Sequence, residues 1–206
     1  MSIFSKSSYP TEHPVNTSSW SVIWFNALRR PFVSTYEEFI RDPEAKPQRA
    51  YIWVVVTSLV AGYIITYNPY RPTTAMSFGQ ASIAIIVASL FALVSIILYA
   101  GIGQIIGARL SGTGTYAQLI FAFAAFHAPL TILRGVFIAS PILVVISLAY
   151  GFGLTAIAVK AVHKFSWGRT LVTTVAVLVS SFLILALLAW LFHSIRQNNV
   201  TPTSFF

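Results

Sequence analysis

Five long apolar stretches, separated by short polar turns, dominate the hydrophobic pattern of this chain. Each stretch is close to the roughly 20 helical residues that cross a bilayer core of about 30 Å. They predict transmembrane helices over residues 51–67, 81–106, 116–133, 141–159 and 171–192. The turns between them are too short for a soluble domain. The sequence therefore predicts an all-α fold, a polytopic transmembrane helical bundle of about five spans.

An amphipathic pattern precedes the first span and predicts a short helix. Apolar residues recur at helical spacing from Trp20 through Trp24 to Leu28, and Arg29 and Arg30 follow them. Two tryptophans beside paired arginines are typical of an amphipathic interfacial helix that lies in the headgroup plane. The alternative is that the same face packs on the transmembrane bundle or on a partner subunit.

The pattern divides the chain into three parts. We expect a cytoplasmic arm over residues 1–50, a five-helix transmembrane domain over 51–193 and a short C-terminal tail over 194–206. Within the arm, overlapping capping-box patterns predict that a second short helix begins at Ser34 or Thr35. Residues 1–17 are rich in Ser, Thr, Pro and Asn, which is typical of a mobile tail.

Composition supports a membrane location and indicates the kind of partner. Hydrophobic residues make up 56% of the chain and charged residues 9%, whereas soluble domains carry about 25% charged residues. All the acidic residues lie at or before Glu44, while basic residues are scattered singly between the apolar spans. Charges placed in this way favour anionic lipid headgroups as partners, together with other membrane protein subunits, and not nucleic acid.

The basic residues also predict an orientation. If the N-terminus is cytoplasmic, Arg71, Arg134 and Arg196 fall on the opposite side, and the rest of the 13 Lys and Arg residues fall on the cytoplasmic side. The positive-inside rule then places the N-terminus in the cytoplasm and the C-terminus on the opposite side of the membrane. We therefore expect an integral membrane protein with this orientation.

The sequence gives no sign of a catalytic centre, so we expect no enzymatic activity. Cysteine is absent, and the spans contain no carboxylate for acid–base chemistry. No glycine-rich phosphate-binding motif with its lysine is present. Metal ligands would have to come from four scattered histidines, so no metal site is predicted. The sequence requires no cofactor.

His127 is the one ionisable candidate deep in the bilayer. It is the twelfth residue of its predicted span, about 16 Å along a helix and therefore near the midplane. An ionisable group at that depth is a functional hypothesis by default, and His127 could bind a pigment or a quinone or relay a proton. The structural alternative is that it satisfies a backbone carbonyl freed by Pro129, or a hydroxyl of a neighbouring helix.

Two further groups of residues are candidates for contacts with other molecules or helices. Gly103 and Gly107 form a Gly-x-x-x-Gly pair, which suits close helix packing inside the bundle or between two copies of the chain. A basic cluster before the last span predicts a patch for anionic lipid or an acidic partner, with simple topology anchoring as the alternative. Its members are Lys160, His163, Lys164 and Arg169.

Three stretches of the chain resemble the Ypt-interacting (Yip) domain family of five-span membrane proteins. The first is WFNALRRPFVSTYEEFIRDPEAKPQRAYI, in which Trp24, Pro31, Tyr36, Phe39 and Pro43 follow a tryptophan–proline–aromatic–proline pattern. The second is GARLSGTGTYAQLIFAFAAFHAPLTIL, a glycine-rich loop followed by a helix with a proline kink. The third is AVKAVHKFSWGRTLVTT, a short basic turn. The resemblance covers about residues 20–192 and implies the same five-span architecture.

The chain also departs from the pattern of this family. The Asp-Leu-Tyr-Gly-Pro-type motif of the eukaryotic members is absent, and so is a long cytosolic arm. These departures argue against contact with Rab-type GTPases and imply the prokaryotic branch, and with it a prokaryotic cytoplasmic membrane. The resemblance implies no common activity for that branch.

Three functions stay open at this point. The first is a non-enzymatic membrane scaffold or organising protein, favoured by the amphipathic arm and the resemblance to Yip-domain proteins. The second is an accessory subunit of a photosynthetic or respiratory complex, in which His127 would contact a pigment or quinone. The third is a transporter or channel, although no internal repeat typical of many carriers is visible.

Overall fold

The computed structural model describes residues 19–67 and 77–200, without the side chains of 185, 188, 189 and 191–200. The predicted N-terminal tail and Arg71 lie outside these ranges. Every regular element within them is an α-helix. The helices are α1 (Trp20–Arg29), α2 (Val33–Arg41), α3 (Pro47–Thr66), α4 (Phe78–Arg109), α5 (Tyr116–Phe137), α6 (Pro141–His163) and α7 (Trp167–Val200).

The five helices from α3 to α7 are long and apolar enough to cross a membrane, which confirms the predicted number of spans. Several extend beyond their predicted bounds. The longest, α4, has 32 residues and a length of about 48 Å at 1.5 Å per residue, so it must tilt in a bilayer or project from it. At the other end of the chain, α7 continues to Val200, past the predicted end of the fifth span at residue 192.

Local sequence signals explain where the spans begin. Pro47 and Pro141 occupy the first turns of α3 and α6, where the missing N–H of proline costs no helical hydrogen bond. Capping boxes open α4 and α5, since in each the cap side chain and the side chain three residues later bond reciprocally to backbone N–H groups. The two pairs are Ser77 with Gln80 and Thr115 with Gln118.

The start of α2 differs from the prediction. This helix begins at Val33, and its cap residue, Phe32, makes no side-chain capping bond. The capping boxes expected at Ser34 or Thr35 are therefore not formed. The helix is instead held by tertiary packing, because Tyr36 and Phe39 are buried and the Tyr36 ring lies edge to face with that of Phe126 in α5, with centroids 6.3 Å apart.

The helix α5 is the centre of the bundle. It contacts α1, α2, α3, α4 and α6, and residues 119–126 form an uninterrupted buried run. That run alternates large and small side chains, with Phe121, Phe123 and Phe126 among alanines. A helix that is apolar on every side is typical of a position surrounded by other elements.

The outer spans cover α5 on one side and present apolar surface on the other. Trp53 of α3 is fully buried, and its ring centroid lies 5.1 Å from that of Phe121. On the outside, Leu90 of α4, Leu148 of α6 and Phe182 of α7 are exposed. In a bilayer such side chains face lipid, so their exposure agrees with a membrane-embedded bundle.

We predict that Trp53→Ala strongly destabilises the bundle. The substitution leaves a cavity between α3 and α5 and removes a ring contact, and such truncations cost about 3–5 kcal/mol. Ile52→Ala is the matched control, since Ile52 is the preceding residue of the same helix and is 50% exposed. Thermal unfolding in detergent, followed by circular dichroism, measures the difference. Equal melting temperatures for the two variants would contradict the central role of this contact.

Candidate functional site

The arm formed by α1 and α2 docks on the bundle through the apolar stripe identified in the sequence. Ile23 and Ala27 of α1 are fully buried. The ring centroids of Trp20 and Trp24 lie 6.0 and 5.8 Å from that of Trp53, both in edge-to-face geometry. The stripe therefore packs on protein, which is the alternative that its sequence pattern left open. Placement of Trp20 and Trp24 at a membrane surface stays a prediction.

A second face of α1 points away from the bundle. Val22, Phe25 and Arg29 follow one another at helical spacing, and all three are exposed. The guanidinium of Arg29 lies 5.4 Å from the centroid of the Phe25 ring. Together with Phe32 and Arg30, which are also exposed, these residues form a strip that we call the outer edge of the arm. The sequence pattern did not single out its apolar members.

Hydrogen bonds hold the arm in a defined position. The hydroxyl of Tyr36 in α2 donates to the carbonyl of Ala27 at 3.3 Å, and the hydroxyl of Tyr150 in α6 donates to the carbonyl of Leu28. Both carbonyls belong to the last turn of α1, where helical acceptors are free. The first bond joins the two helices of the arm, and the second ties the arm to the bundle in addition to the contacts of its tryptophans.

An ion pair joins the arm to the end of α6. The ammonium of Lys164 donates a hydrogen bond to a carboxylate oxygen of Glu37, and Arg41 lies one helical turn from Glu37 with an N–O distance of 4.0 Å. Lys164 caps α6 in the left-handed conformation with φ of 58°, which turns its side chain toward α2. The hydrogen bond from Lys164 lowers the pKa of the Glu37 carboxyl.

The predicted basic patch is only partly an exposed surface. Lys160 donates from Nζ to the carbonyl of Phe165 at 2.6 Å and lies 4.9 Å from the centroid of the Trp167 ring, so it stabilises the turn before α7. Lys164 is bonded to Glu37. Arg169 is exposed. A lipid or partner contact at Lys160, Lys164 and Arg169 stays a prediction.

His163 lies inside the protein and not on the surface of that patch. It is 1% exposed and stacks on Phe165 with ring centroids 5.2 Å apart. Glycines flank its ring, because a Cβ on either Gly107 or Gly112 would overlap the imidazole. Both ring nitrogens are buried without a hydrogen-bond partner among the described residues. His163 therefore acts as a packing element between α6 and the α4–α5 turn.

The predicted Gly-x-x-x-Gly pair faces the interior of the bundle. A Cβ on Gly103 would stand 2.9 Å from Leu119 Cδ2 and 3.5 Å from Val177 Cγ2, and Gly107 faces His163. Gly103 therefore lets α4 approach α5 and α7 closely, and Gly107 makes room for the His163 ring. Packing inside the bundle is one of the two roles that the spacing predicted, and a contact between two copies of the chain stays a prediction.

His127 lies midway along α5. Its ring is edge-on to Phe126 with centroids 5.8 Å apart, and its carbonyl accepts a hydrogen bond from the Thr131 hydroxyl at 2.8 Å. Within residues 19–67 and 77–200, no hydrogen bond to its imidazole is formed. Nor do these ranges contain three or more metal-binding side chains grouped together. A role for His127 in binding a pigment or quinone stays a prediction.

The structure moves Arg134 from a loop into a helix. The predicted third span ended at residue 133, whereas α5 continues to Phe137. Arg134 Nε donates to Ser147 Oγ and Nη2 to the Ser147 carbonyl, both at 3.3 Å. The apolar residues that follow Arg134 in the sequence were the available signal that the helix continues past it.

These observations define an integral membrane protein, a five-span helical bundle with a two-helix arm docked at one end. The family model of the Yip1 domain matches residues 25–191, and the chain therefore belongs to the Yip1 domain family. This confirms the resemblance found in the sequence, while assignment to the prokaryotic branch stays a prediction. Searches of curated proteins and of solved structures gave no match.

We predict that Gly107→Ala destabilises the protein while Gly101→Ala does not. A methyl group at residue 107 would overlap His163, which Gly112 blocks from moving away, and such overpacking costs about 1–3 kcal/mol. Gly101 lies on the same helix, and nothing stands within 4 Å of the Cβ position there. Melting temperatures in detergent compare the two variants. His163→Ala should relieve the loss caused by Gly107→Ala; an additive double variant would argue against this contact.

We predict a pH-dependent contribution of Glu37 to stability. Because Lys164 depresses the folded-state pKa of Glu37 below its ordinary value of 4.5, the contribution is complete above that pH and is lost as the pH falls through the folded pKa. Glu37→Gln should lower the melting temperature at pH 7, and its difference from the native protein should vanish in acid. Glu38→Gln is the control, since Glu38 is exposed on the same helix. A pH-independent difference would contradict the pairing.

Proposed function

We propose that this protein is a non-enzymatic membrane scaffold whose docked arm presents an apolar and basic edge to one leaflet. The observation that carries the proposal is the second apolar face of α1. One face, with Ile23 and Ala27, is covered by the bundle, whereas the outer edge leaves Phe25 59% and Phe32 63% exposed. Exposed aromatic side chains beside exposed arginines suit the boundary between acyl chains and headgroups.

The charges of the outer edge complement anionic lipid. Arg29 and Arg30 are exposed next to the phenyl rings, so their guanidinium groups would lie at the level of lipid phosphates when the rings enter the acyl region. The ion pair with Lys164 neutralises Glu37, the acidic residue of α2 that lies nearest to the bundle. The arm would then bind anionic headgroups of the cytoplasmic leaflet, and the C-terminus would lie on the opposite side of the membrane.

A rigid attachment makes such an arm a scaffold and not a flexible anchor. Trp53, Tyr36 and Tyr150 hold the arm against the spans, so insertion of the outer edge into one leaflet would be transmitted to the bundle. A wedge held at one end of a membrane protein adds area to a single leaflet and favours curvature there. Several copies, or further membrane subunits gathered around them, would organise a patch of membrane.

Removal of the two exposed rings of the outer edge tests this proposal. Phe25→Ser/Phe32→Ser withdraws two phenyl groups from lipid, which weakens arm insertion by roughly 3–6 kcal/mol, and leaves the buried stripe intact. The native protein, reconstituted at increasing density in vesicles containing anionic lipid, should deform them, as seen by electron cryomicroscopy. The double variant should leave them close to spherical at equal density.

The control for this experiment is Phe78→Ser, which removes an exposed phenyl ring at the first residue of α4, at the opposite end of the bundle. This variant should deform vesicles as the native protein does. Equal deformation by the double variant, or none by the native protein, would contradict the scaffold. Isolation of the native protein in a large coloured complex would favour the accessory-subunit function instead.

A further inference from the structure

Arg134 directs its charge into the bundle, away from the membrane surface. Val144 of α6 is as far from the centre of the α5–α6 turn as Arg134 is, so a side chain that extended straight across would meet Val144. The guanidinium bonds instead to Ser147, which lies further from the turn along α6. Its Nη2 lies 2.7 Å from the position of a Cβ on Gly151. An arginine near the end of a span usually extends toward the headgroups, whereas the side chain of Arg134 extends toward the interior of the membrane.

The guanidinium lies well below the end of its span. Ser147 and Gly151 are about 9 and 15 Å from the first residue of α6 at 1.5 Å per residue, and α6 is one of the candidate membrane spans. Gly151 provides the space for the guanidinium, since any side chain there would meet Nη2. The charge is therefore held at a depth where water does not normally replace a missing partner.

Uncharged polar groups of α6 and α4 lie next to the guanidinium and are linked to one another by hydrogen bonds. The Thr155 hydroxyl donates to the Gly151 carbonyl at 2.8 Å and accepts from the Tyr99 hydroxyl at 3.2 Å. Arg134, Ser147, Gly151, Thr155 and Tyr99 form what we call the Arg134 cluster, with contributions from α4, α5 and α6. His127 lies on α5 two turns before Arg134. None of these groups carries a negative charge that balances the guanidinium.

The acidic side chains that the structure describes belong to α2 and the segment after it, at the wrong end of the bundle to neutralise Arg134. The sequence contains no Asp or Glu after Glu44, and Glu37 pairs with Lys164 beyond the far end of α6. Lys164 is about 25 Å from Ser147 along that helix. An ionised group within a membrane is normally paired or faces water, and an unpaired one costs several kcal/mol.

We propose that the Arg134 cluster binds an oxyanion, the phosphate or carboxylate group of a lipid or of a small solute. Ser147 holds the guanidinium through two of its N–H groups, and the remaining ones have no acceptor among the residues that the structure describes. A guanidinium with its fork of donors matches the two oxygens of such a group. If the oxyanion belongs to a lipid, the exposed apolar face of α6 at Val145 and Leu148 accommodates the acyl chains.

The test compares two anion sources in nanodiscs. One series replaces part of the phosphatidylcholine with phosphatidylglycerol. The other keeps pure phosphatidylcholine and adds sodium phosphate at constant ionic strength set with sodium chloride. The melting temperature of the native protein should rise by about 3 °C or more in at least one series, as expected for a ligand well above its dissociation constant. The series that responds identifies the source.

Three variants assign the response to this cluster. Arg134→Gln keeps hydrogen-bonding capacity but removes the charge, so the anion-dependent shift should disappear. Arg134→Lys should retain part of the shift, since lysine binds phosphate as a point charge, and Gly151→Ala should reduce it by displacing the guanidinium. Arg109→Gln, a change of the same kind at the exposed last residue of α4, should retain it. No shift in either series, or an equal shift in Arg134→Gln, would overturn the proposal.

A structural role alone gives a different result. If Arg134 only bridges α5 to Ser147, Arg134→Gln lowers the melting temperature equally with and without anion. With an anion site, Arg134→Gln should instead melt no lower than the native protein when anion is absent, because an uncompensated charge within the span has been removed. Lipid retained by the native protein in native mass spectrometry, and lost in Arg134→Gln, provides a second readout that needs no unfolding. Equal retention of lipid would again count against a lipid source.

Discussion

The burial of α5 is the constraint on which the rest of this structure depends. A helix whose residues 119–126 are all buried needs partners around its circumference, and the chain supplies them from α1, α2, α3, α4 and α6. This requirement explains why the arm docks at all. Its apolar stripe covers the part of α5 and α3 near Phe121, and the buried Tyr36 reaches Phe126 with ring centroids 6.3 Å apart.

Much of the fold followed from hydrophobic pattern and local chemistry. The apolar stretches predicted the spans because the cost of burying a bare backbone in lipid forces each of them to be helical. The boundaries were less predictable, because a charged residue inside an apolar run can either mark the end of a span or lie within a helix that continues past it. Arg134 looked like the end of a span, but Ser147 on the next helix accepts its hydrogen bonds, and no local pattern records that partner.

The candidate site, too, was predictable from the sequence only in part. The spacing of Trp20 and Trp24 predicted an apolar face, but it did not reveal whether lipid or protein covers that face. His163 shared a basic segment with Lys160 and Lys164, yet it is buried because Gly107 and Gly112, distant in sequence, leave room for its ring. Family membership follows from residues 25–191, whereas the contact between Glu37 and Lys164 joins residues 127 positions apart and leaves no local pattern in the sequence.

The length of α4 gives the bundle a mechanical property. One end of this helix is pinned, since Gly107 lies against His163 and Gly103 against Leu119, while its opposite half carries exposed apolar side chains such as Ile86 and Leu90. A 32-residue helix meets a bilayer thinner than itself by leaning. The first half of α4 is held as well, because it packs on α3, where Ile85 Cγ2 lies 3.0 Å from the position of a Cβ on Gly62. A lean of α4 therefore carries α3 with it, so membrane thickness is coupled to the tilt of both helices.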